Sequence, residues 1–355
     1  MDDDFERRAI SLRNESLLKT ESLFAANREE WCDSFALYFE ALCGQIRTKQ
    51  DESTISATSF LEFTMLYTNF INRCYVSEAI AFDERRYLDQ NKQFFGRFDL
   101  SFLFGNFDKL WDDLLTVRKR YVGKVSANEV KLFMMDSLPD FYSYFINIVR
   151  YAIADLVDRK PFADVARGET FLICVGEYMA KTEIVYIECK NKDAKALARR
   201  FGKRLKGEYA FEDYSDLNFS GCVFKFSEFN YAHFRRSCLN NVTFEGSALV
   251  GTSFYKAQMD RSCLTNCSIF EADFSYAFLR GARFANERGR AGLPSDDKWR
   301  HVGFLPVRFR FADLTNADFS GANLVGADFT GAMLGGVDFT NTVLDGAVFT
   351  GAVLD

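Results

Sequence analysis

Histidine is nearly absent from this chain. Its 355 residues include two, His233 and His301, and only three tryptophans. Imidazole-based catalysis and Cys/His zinc sites are therefore poorly supplied. The nine cysteines are an odd number in no disulfide-like or zinc-like spacing, and the one short pair, Cys263 with Cys267, falls inside a five-residue repeat. Reduced cysteine used as small apolar filler accounts for them, and no cofactor or metal is implied. No run of 18 or more apolar residues is free of charge. The best candidate, FYSYFINIVRYAIADLV from Phe141, is broken by Asn147, Arg150 and Asp155, which argues against a membrane span. The first residues, MDDDFERRAI, contain no apolar signal-peptide core, so a cytoplasmic protein without membrane contact is expected. The net charge of −6 is too mild to call for a polyanionic or polycationic partner, and direct nucleic-acid binding is not expected.

Against these scarcities stand 39 phenylalanines. Some repeated structural slot wants a bulky ring without a polar handle. In residues 1–205 the apolar spacing is helical. Trp31, Phe35, Tyr38, Leu42 and Ile46 form one stripe, Phe63, Leu66, Tyr67, Phe70 and Cys74 a second, and Phe141, Phe145, Ile148, Ala152 and Leu156 a third. Ser126 with Glu129 is a capping box that opens a short helix, and Pro139 sits where the next can begin. This part reads as a mostly α-helical domain, a bundle. Within ETFLICVGEYMAKTEIVYIECKNK the span Thr182 to Cys189 is β-rich, which predicts a hairpin over 169–190. DAKALARRFGKRLKG then gives a basic amphipathic helix over 193–206, suited to capping the first turn of the repeat region.

From about residue 214 the period becomes five. Taking Phe219 as a centre, centres recur at Phe224, Phe229, Phe234, Leu239, Phe244 and onward to Phe284, then from Phe304 to Leu354. Two residues before each centre the chain is mostly small, as at Ala232, Ser247, Ala312 and Ala317. Two residues after it, the last block uses only Gly or Asn, from Asn316 to Gly351. Those residues accept positive φ, so a tight turn is expected every five residues. One bulky and one small inward residue per turn closes a square after four steps.

This tandem A(D/N)Lxx pattern resembles the pentapeptide-repeat family over residues 209–355. The resemblance implies a right-handed quadrilateral β-helix of about six coils, ~29 Å long at ~4.8 Å per coil. The expected fold class is thus α+β in two domains, 1–205 helical and 206–355 solenoid, with centres 20 residues apart stacked into phenylalanine ladders.

The frame breaks at 285–303, whose inward positions would fall on Glu287, Gly289, Gly292, Pro294, Asp297 and Trp299. A projecting loop is expected there, carrying Arg288, Arg290, Asp296, Asp297, Lys298, Trp299 and Arg300 as candidate binding residues or as a tolerated insertion. It is similar in kind to the loops with which quinolone-resistance members of the family engage DNA gyrase. A second candidate surface is the column Arg236, Lys256 and Tyr276 beside Arg235 and Tyr255, with Phe226 and Tyr231 adding aromatic bulk at turns. Family members that bind topoisomerase act as acidic DNA mimics. Here residues 214–284 sum to +1 and 304–355 to −4, so mimicry has support only through Asp313, Asp318, Asp328 and Asp338, which equally suit a turn. Glu188 and Lys190 form an ExK like the end of a magnesium-dependent nuclease motif, with Asp164, Glu169 or Glu177 as upstream acids. No other catalytic constellation is visible. The expectation is a non-catalytic protein-binding scaffold, with a DNA gyrase or topoisomerase modulator as the alternative and a nuclease as the outsider. The uncapped TGAVLD end adds the expectation of a homodimer through the carboxy-terminal coils.

Overall fold

The computed structural model describes residues 2–90, 92–192, 209–286 and 305–354. The expected basic helix at 193–206 and loop residues 287–303 lie outside the described residues. Among the described residues, those up to Lys190 form one compact unit and those from Asn191 another.

The first unit runs α1 (Asp3–Asp51), β1 (Thr58–Met65), α2 (Tyr67–Ile71), β2 (Val76–Phe82), a 3-10 turn (Arg86–Leu88), β3 (Gln93–Asp99), α3 (Ser101–Arg118), α4 (Ala127–Leu156), α5 (Lys160–Ala163), β4 (Arg167–Glu177) and β5 (Thr182–Cys189). The strands make one sheet in the order β3-β2-β1-β4-β5, antiparallel except for the central β1–β4 pair. A helix layer packs on it through Phe35, whose ring meets Phe63, Phe98 and Phe145 at 5.1, 5.4 and 5.9 Å.

This corrects the expected helical bundle. The hairpin at 169–190 is present as β4–β5, and the first and third stripes lie in α1 and α4. The second stripe is no helix: Phe63 belongs to β1, and only Tyr67 and Phe70 fall in the five-residue α2. TSFLEFTM in β1 is buried almost throughout, so it lacks the alternation that marks a half-exposed strand, and short apolar runs are ambiguous between helix and strand. The Ser126 and Glu129 capping box forms as expected, but it opens a 30-residue helix that continues through Pro139 rather than stopping there.

The second unit is a four-sided β-helix. Every bridge is parallel, and nearly all join residues 20 apart, such as His233 to Ser253 and Ser253 to Asp273. Counting walls from the first coil, wall 1 holds Tyr209, Phe229, Leu249 and Ile269, and wall 2 holds Tyr214, Phe234, Phe254, Phe274, Phe309, Phe329 and Phe349. Wall 3 holds Phe219, Leu239, Met259, Leu279, Leu314 and Leu334, and wall 4 holds Phe224, Phe244, Leu264, Phe284, Phe319 and Phe339. The inner residues of these walls form one core. Wall 2 is an unbroken ladder of seven rings with centroids 4.8–5.4 Å apart. In the last coils the phenylalanines of walls 2 and 4 meet edge to face, as Phe309 and Phe319 do at 5.4 Å, while leucine fills the other walls. Tyr209 and Tyr214 extend the frame two steps earlier than Phe219, with tyrosine in the ring position.

The small inward residues do more than make room. The hydroxyls of Ser237 and Thr252 donate to the carbonyls of Tyr214 and Phe229 in the preceding coil, at 2.7 and 2.8 Å, so these buried polar groups are satisfied. The bridge spacing jumps from 20 to 35 between Asp273 and Arg308 and returns to 20 at Asp328. The frame is thus interrupted by fifteen extra residues between Asn286 and Leu305.

Candidate functional site

Nearly every described corner of the rod turns on one residue with φ between +54° and +74°, Pro306 being the exception. Gly and Asn adopt that conformation readily, whereas an ordinary L-residue there costs roughly 1–2 kcal/mol. The corner between walls 3 and 4 follows the expected rule, with Gly221, Asn241, Gly281, Asn316 and Gly336, broken only by Arg261. The corner between walls 2 and 3 does not. Its turn residues are Asp216, Arg236, Lys256, Tyr276 and Phe311 in successive coils, and only then Gly331 and Gly351. Four consecutive coils thus hold a large side chain in a left-handed backbone on one edge.

The side chains on this edge touch along the rod. Arg236 makes a two-pronged pair with Asp216, both contacts at 2.8 Å. The Lys256 ammonium lies 4.8 Å from the Tyr255 ring centre and 6.0 Å from that of Tyr276. Tyr276 stacks on Phe311 at 5.0 Å. The Phe311 ring in turn lies over Gly331, where an added Cβ would come within 2.5 Å of Cε1. The same device recurs elsewhere: Phe226 covers Gly246 and Tyr231 covers Gly251. Where glycine follows an aromatic turn residue one coil later, a Cβ there would strike the ring; Phe211 and Tyr276 are followed instead by another ring, Tyr231 and Phe311, that stacks on them.

The sequence-predicted column of Arg236, Lys256 and Tyr276 is therefore one continuous edge. Arg235 and Tyr255 adjoin it but are buried, with the Arg235 guanidinium 5.0 Å over the Tyr255 ring, so they support the edge rather than face outward. The structure separates the other two. Phe226 turns the corner between walls 4 and 1, and Tyr231 the corner between walls 1 and 2, stacked on Phe211 at 5.3 Å. Arg288, Arg290, Asp296, Asp297, Lys298, Trp299 and Arg300 lie outside the described residues. Sequence reading missed Phe311, Phe278 and Met333, which are exposed beside this edge. Phe311 was visible as a ring in the turn slot. Phe278 and Met333 stand immediately before a centre, where the repeat prefers a polar residue.

The acids through which alone DNA mimicry had support serve turns. Asp313, Asp318, Asp328 and Asp338 each accept from the backbone N–H two residues on, at 3.2, 2.9, 2.9 and 2.8 Å. Burial pushes the Asp328 carboxyl up, but hydrogen bonds from Thr330 and from Arg310 outweigh that and hold it below the ordinary value. In the first unit, Glu188 pairs with Arg167 at 3.2 Å and accepts from the Tyr186 hydroxyl, while Lys190 donates to the Arg167 carbonyl. Among the described residues, no group of three or more His, Cys, Asp and Glu is placed to hold a metal ion. The same residues contain no helix long and apolar enough to cross a membrane.

Residues 215–246 and 307–341 match the family model for pentapeptide repeats, in 8 copies. No curated protein matches the chain. Solved structures that resemble it include trypsin-treated QnrB1, a plasmid-mediated fluoroquinolone resistance protein, at 14% identity over 40% of this chain and 69% of that one, with a TM-score of 0.33. HetL of the cyanobacterium Nostoc sp. strain PCC 7120, involved in heterocyst differentiation regulation, aligns at 17% identity over 46% and 98%, with a TM-score of 0.16. A pentapeptide-repeat protein of the Arabidopsis thaliana thylakoid lumen aligns at 26% identity over 35% and 69%, also at 0.16. Superpositions this loose carry no argument about role. The five-residue frame, the four-walled ladder and the family match agree that residues 209–286 and 305–354 are pentapeptide repeats, which form the right-handed β-helix of that family.

Proposed function

We propose that this chain is a non-catalytic protein-binding scaffold, with the corner between walls 2 and 3 as its recognition surface and the amino-terminal unit as a second contact. The observation that carries this reading is the run Arg236, Lys256, Tyr276 and Phe311, with φ of +56°, +57°, +58° and +55°. Backbone held in a disfavoured region tends to persist where a side chain must be presented. The neighbouring corner, built mostly of Gly and Asn, indicates that the fold does not require it. The engagement of Glu188 and Lys190 with Arg167 supports the non-catalytic part of the reading. The turn bonds of the aspartates favour the scaffold over a topoisomerase modulator that works by mimicking DNA phosphates.

A photo-crosslinking residue placed at position 276 of the full chain in its source cells should give a defined protein adduct, and one at position 316 should not. Absence of an adduct at 276, or the same adducts at both positions, would remove the reading. Self-association belongs to it as well. Phe349, Val353 and Leu354 are exposed on the last described coil and offer an apolar face to a second copy. A monomeric mass by light scattering at micromolar concentration would contradict that.

A further inference from the structure

We infer that the edge formed by Tyr276, Phe311, Phe278 and Met333 takes an extended protein segment carrying a carboxylate and, three residues away, an aliphatic side chain. This rests on the scaffold reading and names the chemistry of its partner.

The apolar part comes first. Tyr276, Phe278, Phe311 and Met333 are 44, 48, 51 and 50% exposed. They are neighbours: Tyr276 stacks on Phe311, and Phe278 and Met333 flank Asp313 through parallel bridges on the outer side of wall 3. Contiguous exposed apolar surface framed by polar groups marks a binding surface, whereas scattered single residues need no explanation.

Charge selects the partner. Between residues 256 and 284 every exposed charged side chain is a cation: Lys256, Arg261, Arg280 and Arg283. The acids of the same stretch are withdrawn. Asp260 is half-buried and held by Arg280 at 2.5 Å, and Glu271 and Asp273 are buried. Lys256 stands on the edge itself, with Arg261 at the next corner and Arg283 on wall 4, while Arg280 is paired with Asp260; Lys256, Arg261 and Arg283 favour an incoming carboxylate at the Lys256 end. Farther along, the exposed charge reverses, with Asp338 and Asp345 on the surface and Asp313 beside the apolar residues. A nucleic-acid strand would also suit rings and cations, but its phosphates would run into Asp313. A peptide needs negative charge at one end only.

Spacing sets the pattern. Lys256 and Phe311 are two coils apart along the corner, ~10 Å at ~4.8 Å per coil. Three residues of polyproline II chain, one full turn, span ~9 Å and bring the side chain back to the same face. A Glu or Asp near Lys256 therefore places a Leu, Ile or Met three residues on over Phe311 and Met333.

The test uses the full chain and three fluorescent probes: a twelve-residue peptide alternating Glu and Leu, its Lys and Leu counterpart, and a twelve-nucleotide oligo-dT. The variants are Tyr276→Gly/Phe311→Gly and Lys256→Glu. The glycine pair replaces strained turn residues with the residue the turn prefers, so folding is retained, and circular dichroism checks it. The Glu-Leu peptide should bind, and each variant should weaken it about tenfold or more. The proposal is overturned if that peptide fails to bind at millimolar concentration, if the Lys-Leu peptide binds as well, or if oligo-dT binds and is lost in the same variants. Adducts persisting at position 276 without Glu-Leu binding would discard the acidic segment and leave the scaffold standing. Loss of both would discard the two together.

Discussion

Replacing Gly331 with alanine strains the corner in two separable ways. At φ +67° the backbone alone disfavours an L-residue by roughly 1–2 kcal/mol. The new Cβ would also lie within 2.5 Å of Phe311 Cε1, and the ring can yield only by leaving its 5.0 Å stack on Tyr276. Losing that stack costs about 0.5–1.5 kcal/mol, and an off-rotamer side chain a similar amount. The total is about 2–5 kcal/mol. Gly346→Ala is the internal control, because its φ is +69° but a Cβ there meets nothing within 4 Å, leaving only the backbone part. Guanidinium unfolding followed by circular dichroism would be measured for Gly331→Ala, Gly346→Ala, Phe311→Gly and the Phe311→Gly/Gly331→Ala pair. The Gly331 substitution should be the more damaging of the two alanines, and milder by about 1–3 kcal/mol once the ring is gone. Equal effects at Gly331 and Gly346, or strict additivity in the pair, would refute the account of why glycine follows Phe311 one coil later.

Further expectations concern the core, the turns and pH. Phe274→Ala, in the middle of the wall 2 ladder and fully buried, should cost ~3–5 kcal/mol. Phe349→Ala, at a position 36% exposed, should cost clearly less, and a reversed order in the unfolding midpoints would contradict the ladder. Lys256→Gly should raise stability by about 1 kcal/mol through relief of the left-handed backbone, and a lower melting temperature would contradict the assignment of strain. Asp328 is held below 3.8 in the fold. The charged form is therefore favoured in the native state, so its contribution is complete above 3.8 and disappears as pH falls through the depressed value. Melting temperature should fall as pH drops through the acid range, and Asp328→Asn should lessen that slope; an unchanged slope would show that the Thr330 and Arg310 contacts add nothing.

The repeat region was legible because its period writes the fold directly. One inward ring, one small residue and one turn residue recur in fixed order, and the walls come from counting by twenty. Tyr209 and Tyr214 escaped notice only because tyrosine, not phenylalanine, fills the ring slot there. The sheet of the first unit was less legible. β1 is buried almost throughout and carries no alternation, and Phe63, Tyr67 and Phe70 share a helical spacing by coincidence across a strand end and a short helix. Pro139 lies inside α4, where packing around Phe141, Phe145 and Ile148 carries the helix past a residue that usually opens one. For the candidate site, the spacing of 20 set Arg236, Lys256 and Tyr276 in one column, and the structure places them along one corner of the rod. The burial of Arg235 and Tyr255 could not be read, since both occupy the slot after a centre, which on the other walls is mostly exposed or half-buried. The divergence of Phe226 and Tyr231 onto other corners reflects their distance to Arg236, which is not a multiple of twenty.

The most direct test of the central claim measures stability and partner binding side by side for Tyr276→Gly/Phe311→Gly. If the ridge exists for recognition, the double variant keeps or gains melting temperature, because two left-handed corners are relieved, and loses the protein adduct or peptide captured by the unaltered chain. If the two rings serve only to hold the coils together, the variant melts earlier while binding stays unchanged, and that result would contradict the account.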